Sequence, residues 1–566
     1  MINKGKDKGE NKMIKINKRL TCLLVAVAST TMLLSGCGGN KDAGAGSGSG
    51  EKKLASEQIF KINLSEPTTI DPAHYRDDNT GMLVASINEP LIRDSKDEKG
   101  WEPGLATDFK ASDDFLKYTF NLRKDAKWED GTPITAKDVE YSYKRIVDPA
   151  TASRKAFDFY FIKNGEAVNK GKMSVDEYGV KAIDDYTVEI TLEKPLDYFV
   201  ELMKTPSFGV VQKAAVEANK DLYGTGSGKL VASGPFKLKD WQHDSKVILE
   251  KNENYWDAAN VTLNTIEVSM IKDGNTTVGK FKTGDLDFMD VSPDFKAEFE
   301  GKPEYVSMPR ASVQFIEFNP NKAYLNNLNI RQALSMTINR DVYVNNILKN
   351  GSKPAYGLVP FGIKGKDGGD FREQAGNVIH DISEKPEYGE EAKKLLDKGL
   401  QEIGKTKEDM TKELTMHCID NAGAKRLAQA IQQMWKENLG VEVSLIPLQT
   451  KMLMPILEGQ TFDIVVGGGR VAPVNDPADF IDFVYNEGKW DNKEFKDLIE
   501  KSREAVGDER MDYLMKAEKV LLDNAVFIPQ NFSGQNFITQ PGIDGLRVYP
   551  ANTRLDFKYI KVYDVK

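Results

Sequence analysis

The chain has 566 residues, a formal net charge of −9, 40% hydrophobic and 29% charged residues. That length calls for two or three lobes rather than one core. The acidic balance, with no basic stripe carrying interleaved aromatics, argues against a nucleic-acid partner.

Lys15, Lys18 and Arg19 precede an apolar run from Leu20 to Leu34. A basic segment, a short apolar run and a small-residue cleavage site make a secretory signal. Leu34-Ser35-Gly36-Cys37 resembles a bacterial lipobox. The resemblance implies a signal peptide over 1–36 and lipidation of the Cys37 thiol. Thr21, Ser29, Thr30 and Thr31 interrupt the run, which counts against an uncleaved membrane span. Met13 is an alternative start. Residues 37–56, with the stretch Asn40 to Lys53, have the composition of a flexible tether. Cys22 and Cys37 aside, only Cys418 remains, so neither an intramolecular disulfide nor an all-cysteine metal site is expected.

Ile59 to Leu64 alternates as a strand, and Pro67 and Asp71-Pro72 then break the chain. Tyr118 to Arg123 alternates at period two, and Glu129 to Pro133 is a turn cluster. Thr135 caps a helix, with Asp138 at capping-box distance and Val139, Tyr143, Ile146 and Val147 as its apolar stripe. Thr187–Leu192, Lys246–Lys251 and Asn264–Met270 are predicted strands. From Ile330 the pattern changes. Helices are predicted over Ile330–Leu348, Glu390–Ile403, Ala424–Leu439 and Phe495–Val506. Strands over Glu413–Cys418, Val441–Ile446 and Phe462–Val466 lie between them, an α/β alternation. A helix over Leu514–Leu522 and a strand over Ala525–Gln530 follow.

The stretch Phe462 to Phe480, FDIVVGGGRVAPVNDPADF, runs from an apolar strand into three glycines. Glycines after a buried strand let another backbone come close, because no side chain stands in the way. No catalytic constellation accompanies it. Gly274 to Lys280 has P-loop spacing, but Phe281 stands where a magnesium-binding hydroxyl belongs. Gly224 to Lys229 has the wrong spacing and reads as a surface loop. The four histidines, His74, His243, His380 and His417, form no helical metal pair. No nucleophile elbow or zinc-protease helix is present. No enzyme activity, cofactor or metal is expected.

Gly104 to Val139, GLATDFKASDDFLKYTFNLRKDAKWEDGTPITAKDV, resembles the signature of the oligopeptide- and dipeptide-binding proteins of bacterial ABC importers. The resemblance continues in order through Gly179–Asp185, Ser233-Gly234-Pro235-Phe236, Asn254-Tyr255-Trp256, Gly284–Asp287, Asn329–Leu334 and Asn475-Asp476-Pro477. It implies an α/β fold: a two-lobed periplasmic-binding-protein clamshell (class II type, cluster C) with an extra domain. Lobe 1 would comprise 57–88, 212–311 and 541–566, the extra domain 89–211, and lobe 2 312–540. Two crossovers near Ser312 and Gln540 would form the hinge. Lys124 and Asp130, inside the signature, are structural on this reading.

The implied function is a lipid-anchored substrate-binding protein, monomeric, on the extracytoplasmic face of a bacterial and preferably Gram-positive membrane. It would capture oligopeptides and deliver them to a permease driven by ATPase subunits. The alternatives are a non-peptide ligand (metal chelate, haem, glycan or small anion) and a peptide-sensing surface receptor.

The same resemblance makes Gly467, Gly468, Gly469, Arg470, Val471, Pro473, Asn475 and Asp476 ligand-binding candidates, with Arg76 and Asp78 close to the cleft and His74 a possible contact. An extended peptide would add to the strand through main-chain bonds. Peptide binders usually place an Asp four residues before the Pro of Asn-Asp-Pro, to pair with the peptide's terminal ammonium. Here that position is Pro473. Losing the partner of a buried charge costs about 3–5 kcal/mol, and proline also lacks an amide donor. Two readings stay open. Arg470 and Arg76 prepare the site for a carboxylate or another anion; or Arg470 joins a surface ion pair, and Asp476 or Asp77 replaces the missing acid.

Overall fold

The computed structural model describes residues 53–95, 100–472, 474–486, 490–551 and 555–565. The signal segment, Cys37, most of the tether and Pro473 lie outside the described residues.

One path of hydrogen-bonded strands runs through most of the chain. It starts with β1 (Ile59–Asn63), whose alternating residues are buried. β1 pairs in parallel with β8 (Thr265–Ser269), which continues antiparallel into β7 (Lys246–Lys251) and β6 (Phe236–Gln242). On its other side lies β9 (Phe288–Asp290). The other end of the path holds β11 (Thr415–Ile419), parallel to both β12 (Ser444–Leu448) and β13 (Ile464–Val471).

Two long strands join these ends: β10 (Tyr305–Phe318) and β14 (Phe527–Thr539), antiparallel from Tyr305↔Ile538 to Glu317↔Phe527. The ladder between them skips from Pro309 to Val313. Pro309 keeps its ladder partner Gly534, and within the skip the Ala311 amide donates instead to the Pro550 carbonyl at 2.9 Å. Beyond it, Val313 and Phe315 enter one apolar core and Ile316 and Phe318 another. This end of the sheet is thus covered on both faces, which explains its near-continuous apolar strands.

A separate antiparallel sheet, β2 (Ala106–Ala111), β3 (Lys117–Leu122), β5 (Thr187–Thr191) and β4 (Val180–Asp184) in that order, carries its own core with α2 (Ala136–Val147). The predicted capping box is present: the Asp138 carboxylate accepts from the Thr135 amide at 2.8 Å and from its hydroxyl at 3.0 Å.

The predicted helix over Ile330–Leu348 is divided. α3 (Leu328–Met336) ends at Thr337. Asn339 then starts a new segment by accepting from the Val342 amide at 2.9 Å. The break turns Arg340 inward, where it is fully buried against Asp381 and donates to the Pro529 carbonyl at 2.8 Å. The strand predicted over Ala525–Gln530 extends to Thr539 as β14. Val441 and Val443 are buried, but the ladder begins only at Ser444.

Candidate functional site

β13 runs through all three glycines instead of stopping before them. Its pairing with β10 shows why. Phe315 faces Gly468 and Ile316 faces Val466, so Gly467 is an extra residue without a partner. Gly467 has φ +89°, the left-handed region that glycine alone adopts without strain. The triplet therefore makes a bulge.

Each glycine meets a different demand. A Cβ at Gly468 would stand 3.3 Å from the Phe315 ring, and one at Gly469 would stand 2.7 Å from the Gln314 side chain. These two are small because β10 packs against them. A Cβ at Gly467 would meet nothing within 4 Å, so there the open space lies outside the sheet.

The other edge of β13 is largely unpaired. β11 pairs with it only at Ile464 and Val465. Among the described residues no strand covers that edge from Val466 to Val471, and Gly467, Gly469 and Val471 are exposed. A run of unpaired amides and carbonyls along a strand edge is a template for an added strand.

The charged candidates divide sharply. Asp476 is buried and binds Arg510 through both oxygens, at 2.7 and 2.8 Å, and also accepts from the Ala478 amide at 2.9 Å. Arg510 in turn lies 3.9 Å over the Tyr198 ring. Asp77 caps α1 (Asp78–Ile87), accepting from the Thr80 amide at 2.9 Å. The Asp77 carboxylate is exposed and accepts only from Thr80, whereas Asp476 is not free to replace the acid missing at 473, which corrects that expectation. Asp78 is likewise committed, to an ion pair with Arg310 of β10. Asn475 accepts from the Lys364 amide at 2.8 Å, pinning the loop that contains Lys364.

Arg470 joins no ion pair within 4 Å among the described residues, contrary to the surface-pair reading. It donates to the Asp479 carbonyl and lies 5.0 Å over the Phe483 ring. Arg76 is exposed. Its charge, with those of Arg145 and Arg154, adds to burial in holding His74 below the ordinary imidazole range, against the pull of Asp71.

Two further acids flank Arg470. Asp479 heads α4 (Ala478–Asn486) and accepts from the Val474 amide at 3.3 Å. Burial pushes its carboxyl up to about 8; Arg470 opposes the rise and the negative Asp476 adds to it. Asp158, from the chain that packs around the small sheet's helix α2, is solvent-exposed, yet desolvation also raises its carboxyl, against Lys155 and Arg470. Nothing in the sequence near 473 signals Asp158, because the fold brings it from a distant stretch of the chain. Asp479 was within reach, since it follows Pro477 by two residues.

The raised Asp479 carboxyl predicts a pH effect on stability. The folded chain keeps a proton that the unfolded chain releases near pH 4, so this contribution is full below about pH 4 and lost as pH rises through about 8. Asp479→Asn should therefore gain thermal stability relative to the parent between pH 4 and 8. Melting curves across that range check it; a constant offset would show that Asp479 ionises normally.

Among the described residues, no group of three or more His, Cys, Asp and Glu side chains could hold a metal, and no helix is long and apolar enough to cross a membrane. Residues 100–492 match the family described as bacterial extracellular solute-binding proteins, family 5 Middle. The dipeptide-binding protein DppE of Bacillus subtilis is 32% identical over 93% of this chain and 96% of its own. The oligopeptide-binding protein OppA of the same organism is 33% identical over 93% and 96%. The structure of Listeria monocytogenes OppA bound to peptide matches with a TM-score of 0.76 at 30% identity, covering 90% of this chain and all of that one. With the two-lobed α/β architecture in place, the chain belongs to the bacterial extracellular solute-binding proteins of family 5.

Proposed function

We propose that the protein captures extended peptides between its two lobes and delivers them to the permease of an ABC importer. The observation that carries this reading is the uncovered edge of β13 from Val466 to Val471. Main-chain pairing there would be indifferent to peptide sequence, while surrounding side chains would set preferences. The names of the two Bacillus subtilis relatives and the peptide in the Listeria structure point the same way.

On this reading the lobes divide as the sequence suggests, and separate apolar cores on either side of the Pro309 skip support that division. Closure bends β10 and β14 where their ladder is interrupted. The protein acts as a monomer held to the outer membrane face through Cys37, and performs no catalysis itself. The ligand candidates kept for direct contact are the backbone of Gly467 to Val471, Arg470 and Arg76. Native mass spectrometry of the purified protein tests the reading: co-purified peptides of mixed sequence are expected. A single non-peptide ligand recovered from every preparation would refute it.

A further inference from the structure

The small sheet meets the helices that follow α4 along a polar seam. Leu192 and Phe199 belong to the small sheet's core, and the loop between them carries Lys194, Asp197 and Tyr198. Opposite stand α5 (Lys493–Glu504) and α6 (Gly507–Asp523). Their Phe495, Ile499, Met511 and Leu514 belong to the core that holds Val313 and Phe315. Three contacts cross the seam. Lys194 pairs with Glu500 at 3.5 Å, Tyr198 lies under Arg510 at 3.9 Å, and the Asp197 carboxylate accepts from the Gly507 amide at 2.8 Å.

The third contact completes a helix. Amides in the first turn of a helix have no intrahelical partner, and a side-chain oxygen just before the helix usually accepts from one of them. Before α6 that position is Val506, which has no such oxygen. Asp197 supplies one from 310 residues away, and its negative charge lies at the positive end of the helix dipole.

The seam has the character of a contact that parts. Lys194 and Glu500 are each nearly half exposed. Asp197, Tyr198, Gly507 and Arg510 also line a cavity of about 320 Å³, whereas a permanent core is close-packed. The small sheet's attachment on the β1 side differs: Arg145 of α2 donates to both oxygens of the buried Asp71, at 2.9 and 2.6 Å.

We propose that Asp197 is a latch of the closed cleft: it caps α6 only when the lobes are together, and so slows ligand release without touching the ligand. The proposal rests on the peptide reading above. A contact made in the closed state alone favours that state by its own free energy. The capped turn also carries Arg510, whose partner Asp476 follows β13.

The test is stopped-flow release of fluorescent pentapeptides that differ at one central residue, from the parent, Asp197→Ala and Asp197→Asn. Melting of the ligand-free proteins is measured alongside. Asp197→Ala should release every peptide faster by one common factor, about 2- to 30-fold, the range for loss of a helix cap, with little change in ligand-free melting. Asp197→Asn, a comparable cap, should restore most of the parent rate. Unchanged release from Asp197→Ala overturns the proposal even if the free protein melts earlier, because the cap is then made equally with and without ligand. A factor that varies with the peptide also overturns it, since Asp197 then touches the ligand. A protein that binds no peptide contradicts the earlier reading instead. The latch is then judged in the ligand-free protein by spin–spin distances between labels on Lys172→Cys and Lys516→Cys, both exposed positions, with Cys418 buried away from the label. A short-distance population that Asp197→Ala depletes supports the latch, and a distribution that Asp197→Ala leaves unchanged overturns it.

Discussion

Asp476→Ala is expected to lower stability by about 3–5 kcal/mol, the cost of leaving a buried guanidinium without its partner. Arg510 is almost wholly buried and stacks on Tyr198, so it cannot turn outward to water. Asp476 raises the Arg510 guanidinium above its ordinary value despite burial, as a true ion pair requires. Denaturant unfolding measures the loss. Replacing both partners at once, Asp476→Leu with Arg510→Met, should recover much of it, since an apolar pair of similar size leaves no charge unpaired. The experiment also separates the two roles open to this aspartate. If Asp476 held a ligand's terminal ammonium, Asp476→Asn would keep its stability and lose its preference for free amines. The geometry predicts the reverse: a destabilised protein whose folded fraction binds free and N-acetylated peptides as the parent does.

Gly467→Val should be the most damaging single change on β13. Gly467 is held at φ +89°, and a β-branched residue there carries strain of about 1–3 kcal/mol. Relief of that strain would flatten the bulge and shift the register of Gly468 to Val471 against β10. A graded series follows. Asn, which tolerates positive φ, should cost least, Ala more, and Val most. Thermal unfolding of the three variants ranks them, and peptide affinity should fall in the same order. Gly468→Val is a less selective probe, because its side chain would press on Phe315 within the sheet and weaken packing whether or not a ligand binds.

The contrast between Gly467 and Gly468 shows what the sequence can and cannot reveal. Three glycines after an apolar strand announce close packing, but which neighbour demands each one depends on the register with β10, more than 140 residues earlier. The capping box at Thr135 and Asp138 was legible because its partners are three residues apart. The Asp476–Arg510 pair was not, because 34 residues separate its members. Without the partner in view, Asp476 looked free to bind a ligand. The division of Ile330–Leu348 was hidden for a related reason. Its periodicity is helical throughout, and the break serves a buried Arg340 whose acceptor is distant in sequence.

The central claim is that a peptide pairs with the open edge of β13, and a backbone N-methylation scan tests it most directly. Each amide of a bound pentapeptide is methylated in turn, and affinity is measured by calorimetry. Strand pairing uses alternate amides of the added chain, so the account predicts large losses, about 10-fold or more at charge-neutral main-chain bonds in a dry cleft, at every second position and small ones between. A flat profile, in which no methylation matters or all matter equally, would contradict docking on β13.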